Sequence, residues 1–156
     1  MKHLSAFSSK THTWQTPPDL FDKLNREFRF TLDAAASADN ALASEYFTED
    51  DDALSQRWHG RVFCNPPYGP GIGKWVKKCY EEAQAGALVV ALIPARTDTD
   101  WWHRYVMWAD EVRLIRGRLR FSGAPNSAPF PSCIVVFGTG ERRAEIFAVK
   151  RDGGAL

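Results

Sequence analysis

The segment from residue 61 to residue 93 constrains the fold of this chain more than any other part of the sequence. Arg61–Cys64 has the pattern of a short strand, and apolar residues then recur at helical spacing over residues 72–83. Residues 87–93 are almost continuously apolar, as expected of a strand buried on both faces of a parallel sheet. A strand, a helix and a second strand in this order predict a parallel α/β sheet.

The sequence on both sides of this unit extends the same pattern. A helix is predicted from residue 16, with Thr16 as its N-cap and Pro17 in its first position. Further strands are predicted over residues 28–32, 45–47, 112–115 (extended by 118–121), 133–137 and 146–149, and a further helix after residues 97–99. The last strands follow one another without helices. We therefore expect a Rossmann-like α/β sandwich whose sheet is mostly parallel with an antiparallel edge.

Length and composition favour a single domain. The chain has 156 residues, of which 44% are hydrophobic and 25% charged. We expect a flexible lead-in over residues 1–13, one domain over residues 14–150, a turn at residues 138–140 and a short tail over residues 151–156.

Cysteine and histidine usage argues against a disulfide framework and against a metal site. The three cysteines form no C-x-x-C pair, and the four histidines are dispersed. No apolar run is long enough to span a bilayer, and the N-terminus lacks an apolar signal region. We therefore expect a cytoplasmic protein that binds neither a membrane nor a metal.

The tetrapeptide Asn65-Pro66-Pro67-Tyr68 lies between a predicted strand and a predicted helix, where open α/β sheets bind ligands. An amino group on an aromatic ring is a poor nucleophile because its lone pair is delocalised. Two acceptors aimed at its N–H bonds would hold it and stabilise its growing positive charge. The Asn65 side chain and the Pro66 backbone supply such carbonyls, and Tyr68 offers a ring face for stacking. These four residues are the predicted catalytic loop.

The chain resembles the phage-type DNA N-6-adenine-methyltransferase (Dam-like) family over roughly residues 14 to 137. The motifs that carry the resemblance are Thr16-Pro17-Pro18, Phe30-Thr31-Leu32-Asp33-Ala34-Ala35, Tyr46-Phe47-Thr48, Asp52-Ala53-Leu54, Phe63-Cys64-Asn65-Pro66-Pro67-Tyr68-Gly69, Ile93-Pro94-Ala95-Arg96-Thr97-Asp98-Thr99 and Ala128-Pro129-Phe130-Pro131. The resemblance implies a methyltransferase fold and a phage or prophage origin, hence a bacterial host cell. It also implies methylation of the exocyclic amine of a flipped-out adenine in DNA, with S-adenosyl-L-methionine as cofactor.

The resemblance further implies which residues hold the cofactor. Thr16 and Pro17 would contact its methionine end, and Asp33 would face its ammonium or sulfonium group beside Ala34 and Ala35. The acidic stretch would supply Glu49 or Asp50 for the ribose hydroxyls and Asp52 for the adenine amine. The loop after the first strand reads Ala34-Ala35-Ala36-Ser37, whereas many enzymes of this superfamily have glycines there.

Substrate contacts are expected from the loops, since the chain has no room for a separate target-recognition domain. Phe130 or Phe121 would close the base pocket opposite Tyr68, and Arg96 and His103 would bind phosphate. Two alternatives stay open: a methyltransferase for an RNA base amine or a protein glutamine, and an inactive relative that binds nucleic acid. The oligomeric state and target sequence are open as well.

Charge is unevenly distributed although the net charge is only +1. The basic residues of the C-terminal third are Arg113, Arg116, Arg118, Arg120, Arg142, Arg143, Lys150 and Arg151. If they gather on one face they would track phosphates, and if they do not they form a solvated strand face. The sequence leaves both interpretations open.

Overall fold

The computed structural model describes residues 14–138 and 144–155. The lead-in expected over residues 1–13 lies outside the described residues, as do residues 139 and 140 of the expected turn and two of the C-terminal arginines, Arg142 and Arg143.

The first helix, α1, spans Pro18–Phe28 and presents Leu20, Phe21 and Leu24 to the core. The prediction that Thr16 caps this helix is wrong. Pro17 is the N-cap and Pro18 takes the first helical position, where a missing N–H costs nothing.

The strand expected over residues 28–32 is also shorter than the sequence suggested. Helix α1 continues through Phe28 and ends because Arg29 adopts a left-handed conformation with φ of 54°. The chain therefore enters the sheet only at Leu32, and the alternating pattern of Phe28 and Phe30 instead stacks two rings with centroids 5.9 Å apart.

Seven strands form one sheet in the order β2-β1-β3-β4-β6-β5-β7. Their bounds are Leu32–Asp33 (β1), Glu45–Tyr46 (β2), Arg61–Cys64 (β3), Leu88–Pro94 (β4), Glu111–Ile115 (β5), Ser132–Phe137 (β6) and Glu145–Val149 (β7). All neighbouring pairs are parallel except those of β6, which is antiparallel to β4 and β5. The mostly parallel α/β prediction is confirmed. The antiparallel strand is not at the edge, however, because β7 pairs outside β5 and parallel to it.

Two further helices flank the strands. Helix α2 spans Ile72–Gln84, and Gly86, at φ of 113°, donates to the Ala83 carbonyl at 3.1 Å where the chain turns into β4. Helix α3 spans Asp100–Arg104, and the Thr99 hydroxyl caps it by accepting from the Trp102 N–H at 3.3 Å. Short 3₁₀ helices span Glu49–Asp51, Ala53–Ser55 and Val106–Trp108. No helix within the described residues has both the length and the apolar character needed to cross a bilayer.

After β5 and after β7 the chain turns away from the sheet. Gly117 has a φ of 79°, so the strand extension expected over residues 118–121 does not form, and Leu119 and Phe121 are buried in the core instead. The expected tail folds back onto β7. The backbone N–H of Lys150 donates to the Gly154 carbonyl at 2.9 Å, and Ala155 forms a β-bridge with Val149.

Most of the connecting loops begin at the same edge of the sheet because of the direction of the strands. Six of the seven strands run the same way, so their carboxyl ends lie along a single edge, here named the carboxyl edge. The loops that follow β1, β3, β4, β5 and β7 all begin there. Ligands of open α/β sheets bind at this edge, outside the ends of the strands.

Glu82 anchors the segment before β3 to helix α2. Its buried carboxylate accepts from the Trp58 backbone N–H at 2.9 Å and from Lys78 Nζ at 2.6 Å, and Arg57 lies 3.6 Å away. Burial alone would raise the pKa of Glu82, but the bonds from Lys78 and Trp58 outweigh it and the pKa is lowered. The ionised carboxylate therefore stabilises the fold above its ordinary pKa, and this stabilisation is lost as the pH falls through the lowered value.

We predict that Glu82→Gln lowers the free energy of unfolding by about 1–3 kcal/mol at neutral pH, the cost of disrupting a buried hydrogen-bonded group. The deficit should shrink as the pH falls through the lowered pKa of Glu82, because the wild-type carboxyl then protonates as well. Urea denaturation at neutral and at acid pH measures this. Glu81→Gln is the control, because its pair with Lys77 is exposed and should be worth at most ~0.5 kcal/mol. A deficit that does not change with pH would contradict the prediction.

Candidate active site

The predicted catalytic loop follows β3 directly and lies at the carboxyl edge. Cys64, the last residue of β3, is fully buried, and Pro66 and Tyr68 are buried as well. Neither proline can donate a hydrogen bond, so the backbone between Asn65 and Tyr68 presents acceptors without N–H groups.

The Asn65 amide is fixed by residues 49 to 51 positions earlier in the chain. Its Nδ2 donates to the Trp14 carbonyl oxygen and, at 3.0 Å, to Oγ1 of Thr16. Because a backbone carbonyl can only accept, this contact determines which end of the amide carries the nitrogen. The other end, Oδ1, is buried and has no hydrogen-bond partner within the described residues.

An unpaired buried carbonyl is unusual, because leaving a buried acceptor unsatisfied costs about 1–3 kcal/mol. The arrangement at Asn65 is that of an acceptor held in one orientation, with no donor supplied by residues 14–138 and 144–155. Such an oxygen can accept from an N–H or O–H group of a ligand or of water.

The ring of Tyr68 lines a cavity, while its hydroxyl is engaged by the protein. The O–H donates to the Leu92 carbonyl at 3.0 Å, and burial raises the pKa of the phenol well above its ordinary value. The hydroxyl is therefore neutral and engaged. Phe130 and Phe121 meet the ring edge-on, with centroids 5.3 Å and 6.0 Å away.

A cavity of about 270 Å³ opens beside the loop. Its walls include Tyr68, Arg96 and Phe130, three residues that the sequence analysis assigned to the substrate. The Arg96 guanidinium lies 5.9 Å from the centre of the Phe130 ring and is exposed at the surface. The structure thus brings these three together, whereas Phe121, the other candidate for closing the pocket, is 1% exposed and belongs to the core.

Trp101 also lines this cavity, a role that was not predicted from the sequence. The contact that positions it is with Gly73, where an added Cβ would lie 3.1 Å from Trp101 Cδ1. The sequence signal that was available is the pair of small residues, Gly71 and Gly73, after the catalytic loop. His103, expected at phosphate, has Nε2 2.8 Å from the Thr97 carbonyl oxygen and holds its own loop.

The residues expected at the cofactor also line the carboxyl edge, in several roles. Thr16 is buried and contacts Asn65, and Pro17 caps α1. The buried Asp33 carboxylate accepts from the Ala35 N–H at 3.3 Å and the Leu42 N–H at 3.1 Å, so both oxygens brace the loop after β1. Burial raises the pKa of Asp33, and these two bonds partly oppose that rise. Ala34 is buried, and Ala35 is half-buried.

Asp50 and Asp52 follow β2 and are exposed at the same edge. Neither carboxylate makes a hydrogen bond within the described residues. Between them Asp51 is engaged, because the Thr48 backbone N–H and hydroxyl donate to it and lower its pKa. Asp52 adopts a left-handed conformation with φ of 49°. Within the described part of the chain, no group of three or more His, Cys, Asp and Glu side chains is placed to hold a metal ion.

Fold and site together define an α/β protein that holds an unpaired amide acceptor and a small aromatic cavity at the carboxyl edge of its sheet. The sequence model of the family described as DNA N-6-adenine-methyltransferase (Dam) matches residues 5–149. The chain belongs to this family.

Two phage proteins illustrate the similarity. The chain is 33% identical over 111 residues to the DNA N-6-adenine-methyltransferase of Escherichia phage T1, a match that covers 68% of this chain and 45% of that protein. It is 27% identical over 105 residues to the protein of the same name from Haemophilus phage HP1, covering 65% and 61%. The chain thus spans less than two thirds of either relative.

A solved structure from Listeria monocytogenes, assigned to the class I S-adenosylmethionine-dependent methyltransferases, aligns with a TM-score of 0.47 and 10% identity. The alignment covers 85% of this chain and 53% of that one.

We predict that Tyr68→Phe lowers the free energy of unfolding by about 0.5–1.5 kcal/mol, because it removes one buried hydrogen bond and keeps the ring. Tyr80→Phe is the matched control: Tyr80 is half-buried and packs its ring against Tyr105, with no hydroxyl bond recorded within the described residues. Urea denaturation compares the two. Equal losses would show that the bond to Leu92 does not hold Tyr68 in place.

Proposed function

We propose that this protein methylates the exocyclic amine of adenine in DNA, with S-adenosyl-L-methionine as the methyl donor. The observation that carries the proposal is the Asn65 Oδ1 atom, a buried acceptor without a partner, held in place through the nitrogen of the same amide. Family membership and the names of the phage relatives support it.

The proposed role of Asn65 follows from the electronic structure of the substrate. The lone pair of an adenine amine is delocalised into the ring, and attack on a methyl group makes the nitrogen positive until it loses one of its two protons to water. Asn65 Oδ1 accepts one N–H of this amine, and the Pro66 carbonyl accepts the other. Both bonds strengthen as the nitrogen becomes positive, so they stabilise the transition state more than the bound substrate.

The cavity beside the loop suits a planar base. Tyr68, Phe130 and Trp101 supply aromatic surface around it, and Arg96 at its mouth is placed to meet a phosphate. Because an adenine within a duplex is stacked and paired, it reaches this cavity only by flipping out of the helix. The neutral, engaged phenol of Tyr68 takes no proton in this scheme.

S-adenosyl-L-methionine, when bound, supplies an electrophilic methyl group on sulfonium. The chemistry of the residues at the carboxyl edge fits it: Thr16 contacts Asn65 and is followed by Pro17, Ala34 and Ala35 after β1 have small side chains, and the exposed carboxylates of Asp50 and Asp52 can accept from hydroxyl or amine groups. We assign Asp33 a supporting role, because its two oxygens are occupied by the loop that would surround the cofactor.

The direct test incubates the protein with S-adenosyl-L-methionine and unmethylated DNA, digests the DNA to nucleosides and measures methylated deoxyadenosine by mass spectrometry. Asn65→Ala should lower the rate roughly 100-fold or more, as removal of a transition-state hydrogen-bond partner does. Asn25→Ala serves as a control remote from the site. A protein that binds the cofactor and yields no methylated base would refute the proposal, and RNA and protein glutamine would then be tested as acceptors.

Thr16 is a positioning residue in this scheme, because it acts on Asn65. Thr16→Val removes the hydroxyl and should lower kcat about 3- to 10-fold, the equivalent of one neutral hydrogen bond. Thr16→Ser keeps the hydroxyl and should restore most of the rate. Single-turnover rates at saturating cofactor measure the effect. If Ser and Val variants are equally impaired, the hydroxyl does not position the amide.

A further inference from the structure

A second concave surface lies at the carboxyl edge, apart from the cavity beside the catalytic loop. This basic groove has a volume of about 790 Å³ and is lined by Arg116, Arg120, Lys150 and Arg151, together with Asp19 and Asp152. Nothing in the proposed methyl transfer uses these residues.

Topology explains why the four cations meet. Arg116 and Arg120 follow the carboxyl end of β5, and Lys150 and Arg151 follow that of β7, the parallel neighbour of β5. The Arg116 N–H donates to the Val149 carbonyl at 2.9 Å, which joins the two strand ends. Because β3 runs in the same direction as β5 and β7, the groove and Asn65 both lie at the carboxyl edge of the sheet.

The groove also reaches the active site through the segment before α1. Pro17 lines the groove, while its neighbour Thr16 contacts Asn65. The backbone carbonyl of Gln15 accepts from the Ser122 N–H at 2.9 Å, and the Ser122 hydroxyl donates to the Thr16 carbonyl at 3.3 Å. One short strip of chain therefore borders both sites.

The cations of the groove are available for an external anion. All four are exposed, and none forms an ion pair within residues 14–138 and 144–155. Arg113, by contrast, pairs with Glu27 at 2.6 Å and with Glu111 at 2.8 Å, and these carboxylates raise its pKa. The structure therefore separates the paired Arg113 from four basic residues that face solvent together in the groove, while Arg118 is exposed outside it.

The two carboxylates of the groove offset only part of this charge, because they face four cations. Asp152 accepts from the Gly154 N–H at 2.8 Å, and this bond, together with the charges of Lys23 and Lys150, lowers its pKa. Asp19 accepts from the Leu20 N–H at 2.9 Å. Arg151 lies over Gly117, where an added Cβ would be 3.5 Å from its Cδ, and Arg120 bends towards the carbonyls of Ala124 and Pro125 at 3.4 Å. The groove keeps an excess of positive charge along its length.

We propose that the basic groove binds the sugar–phosphate backbone of the DNA that flanks the target adenine. The proposal rests on the proposed function, since it takes DNA as the substrate. Contacts to phosphates position a duplex without reading its sequence. Four cations at the carboxyl edge, joined to the proposed catalytic loop by residues 15–17, give the protein a way to hold DNA while one base occupies the cavity.

The test compares wild type with R116Q/R120Q/K150Q/R151Q in DNA binding, by fluorescence anisotropy between about 50 and 200 mM salt, and in methylation kinetics. Each lost phosphate contact removes about 0.9 from the slope of log K against log salt, so the slope should fall by roughly 3 to 4. The effect on methylation should appear as a KM for DNA raised at least about 10-fold. Binding of S-adenosyl-L-methionine, measured by calorimetry, should not change.

The control variant R26Q/R29Q/R61Q/K77Q loses the same charge elsewhere on the surface and should keep the salt slope and KM of wild type. The pairs R116Q/R120Q and K150Q/R151Q should each give about half the loss of slope, which keeps the test valid if the quadruple variant does not fold. A wild type that methylates DNA while the groove variants keep its slope and KM would overturn the groove proposal. A wild type that binds DNA through the groove and methylates no base would instead overturn the proposed function alone.

Discussion

The site depends on the hydrogen bonds that hold the Asn65 amide. Its nitrogen is satisfied by Trp14 and Thr16, and this is what leaves the oxygen both oriented and unpaired. A freely rotating asparagine would turn its amide to suit any neighbour, and water would satisfy the oxygen. The segment before α1 thus does more than lead into a helix: it fixes the polarity of a side chain at the end of β3.

Strand direction then determines what surrounds this amide. Because β3, β4, β5 and β7 run in parallel, the catalytic loop, the Arg96 loop, the Phe130 loop and the basic groove all start at the carboxyl edge. The antiparallel β6 is what returns the chain to the interior of the sheet after the Phe130 loop, pairing Ser132 with Pro94. Phe130 and Arg96 are therefore neighbours across the mouth of the cavity.

Local patterns in the sequence were enough to predict the elements that depend on local interactions. Helix α2 and the strands β3 and β4 were expected, as was a loop over Asn65–Tyr68 between β3 and α2. Features set by distant contacts were not. The left-handed conformation of Arg29 shortens β1, and no glycine in the sequence indicates it. The internal position of β6 in the sheet is set by its pairing with β4 and β5. The bond from Asn65 to Thr16 spans 49 residues. Arg113 was expected among the basic residues that could bind phosphate, but its charge is paired with Glu27, 86 residues earlier in the chain.

The unpaired oxygen of Asn65 has a consequence for the stability of the chain. An acceptor buried without a partner makes the free protein less stable than its packing allows, by an amount of about 1–3 kcal/mol. A substitution at position 65 would remove that unpaired acceptor, but it would also take the donor away from the Trp14 carbonyl and the Thr16 hydroxyl. A ligand that donates to the Asn65 oxygen would therefore stabilise the fold by satisfying this acceptor, and the unfolding temperature would rise with the ligand's concentration.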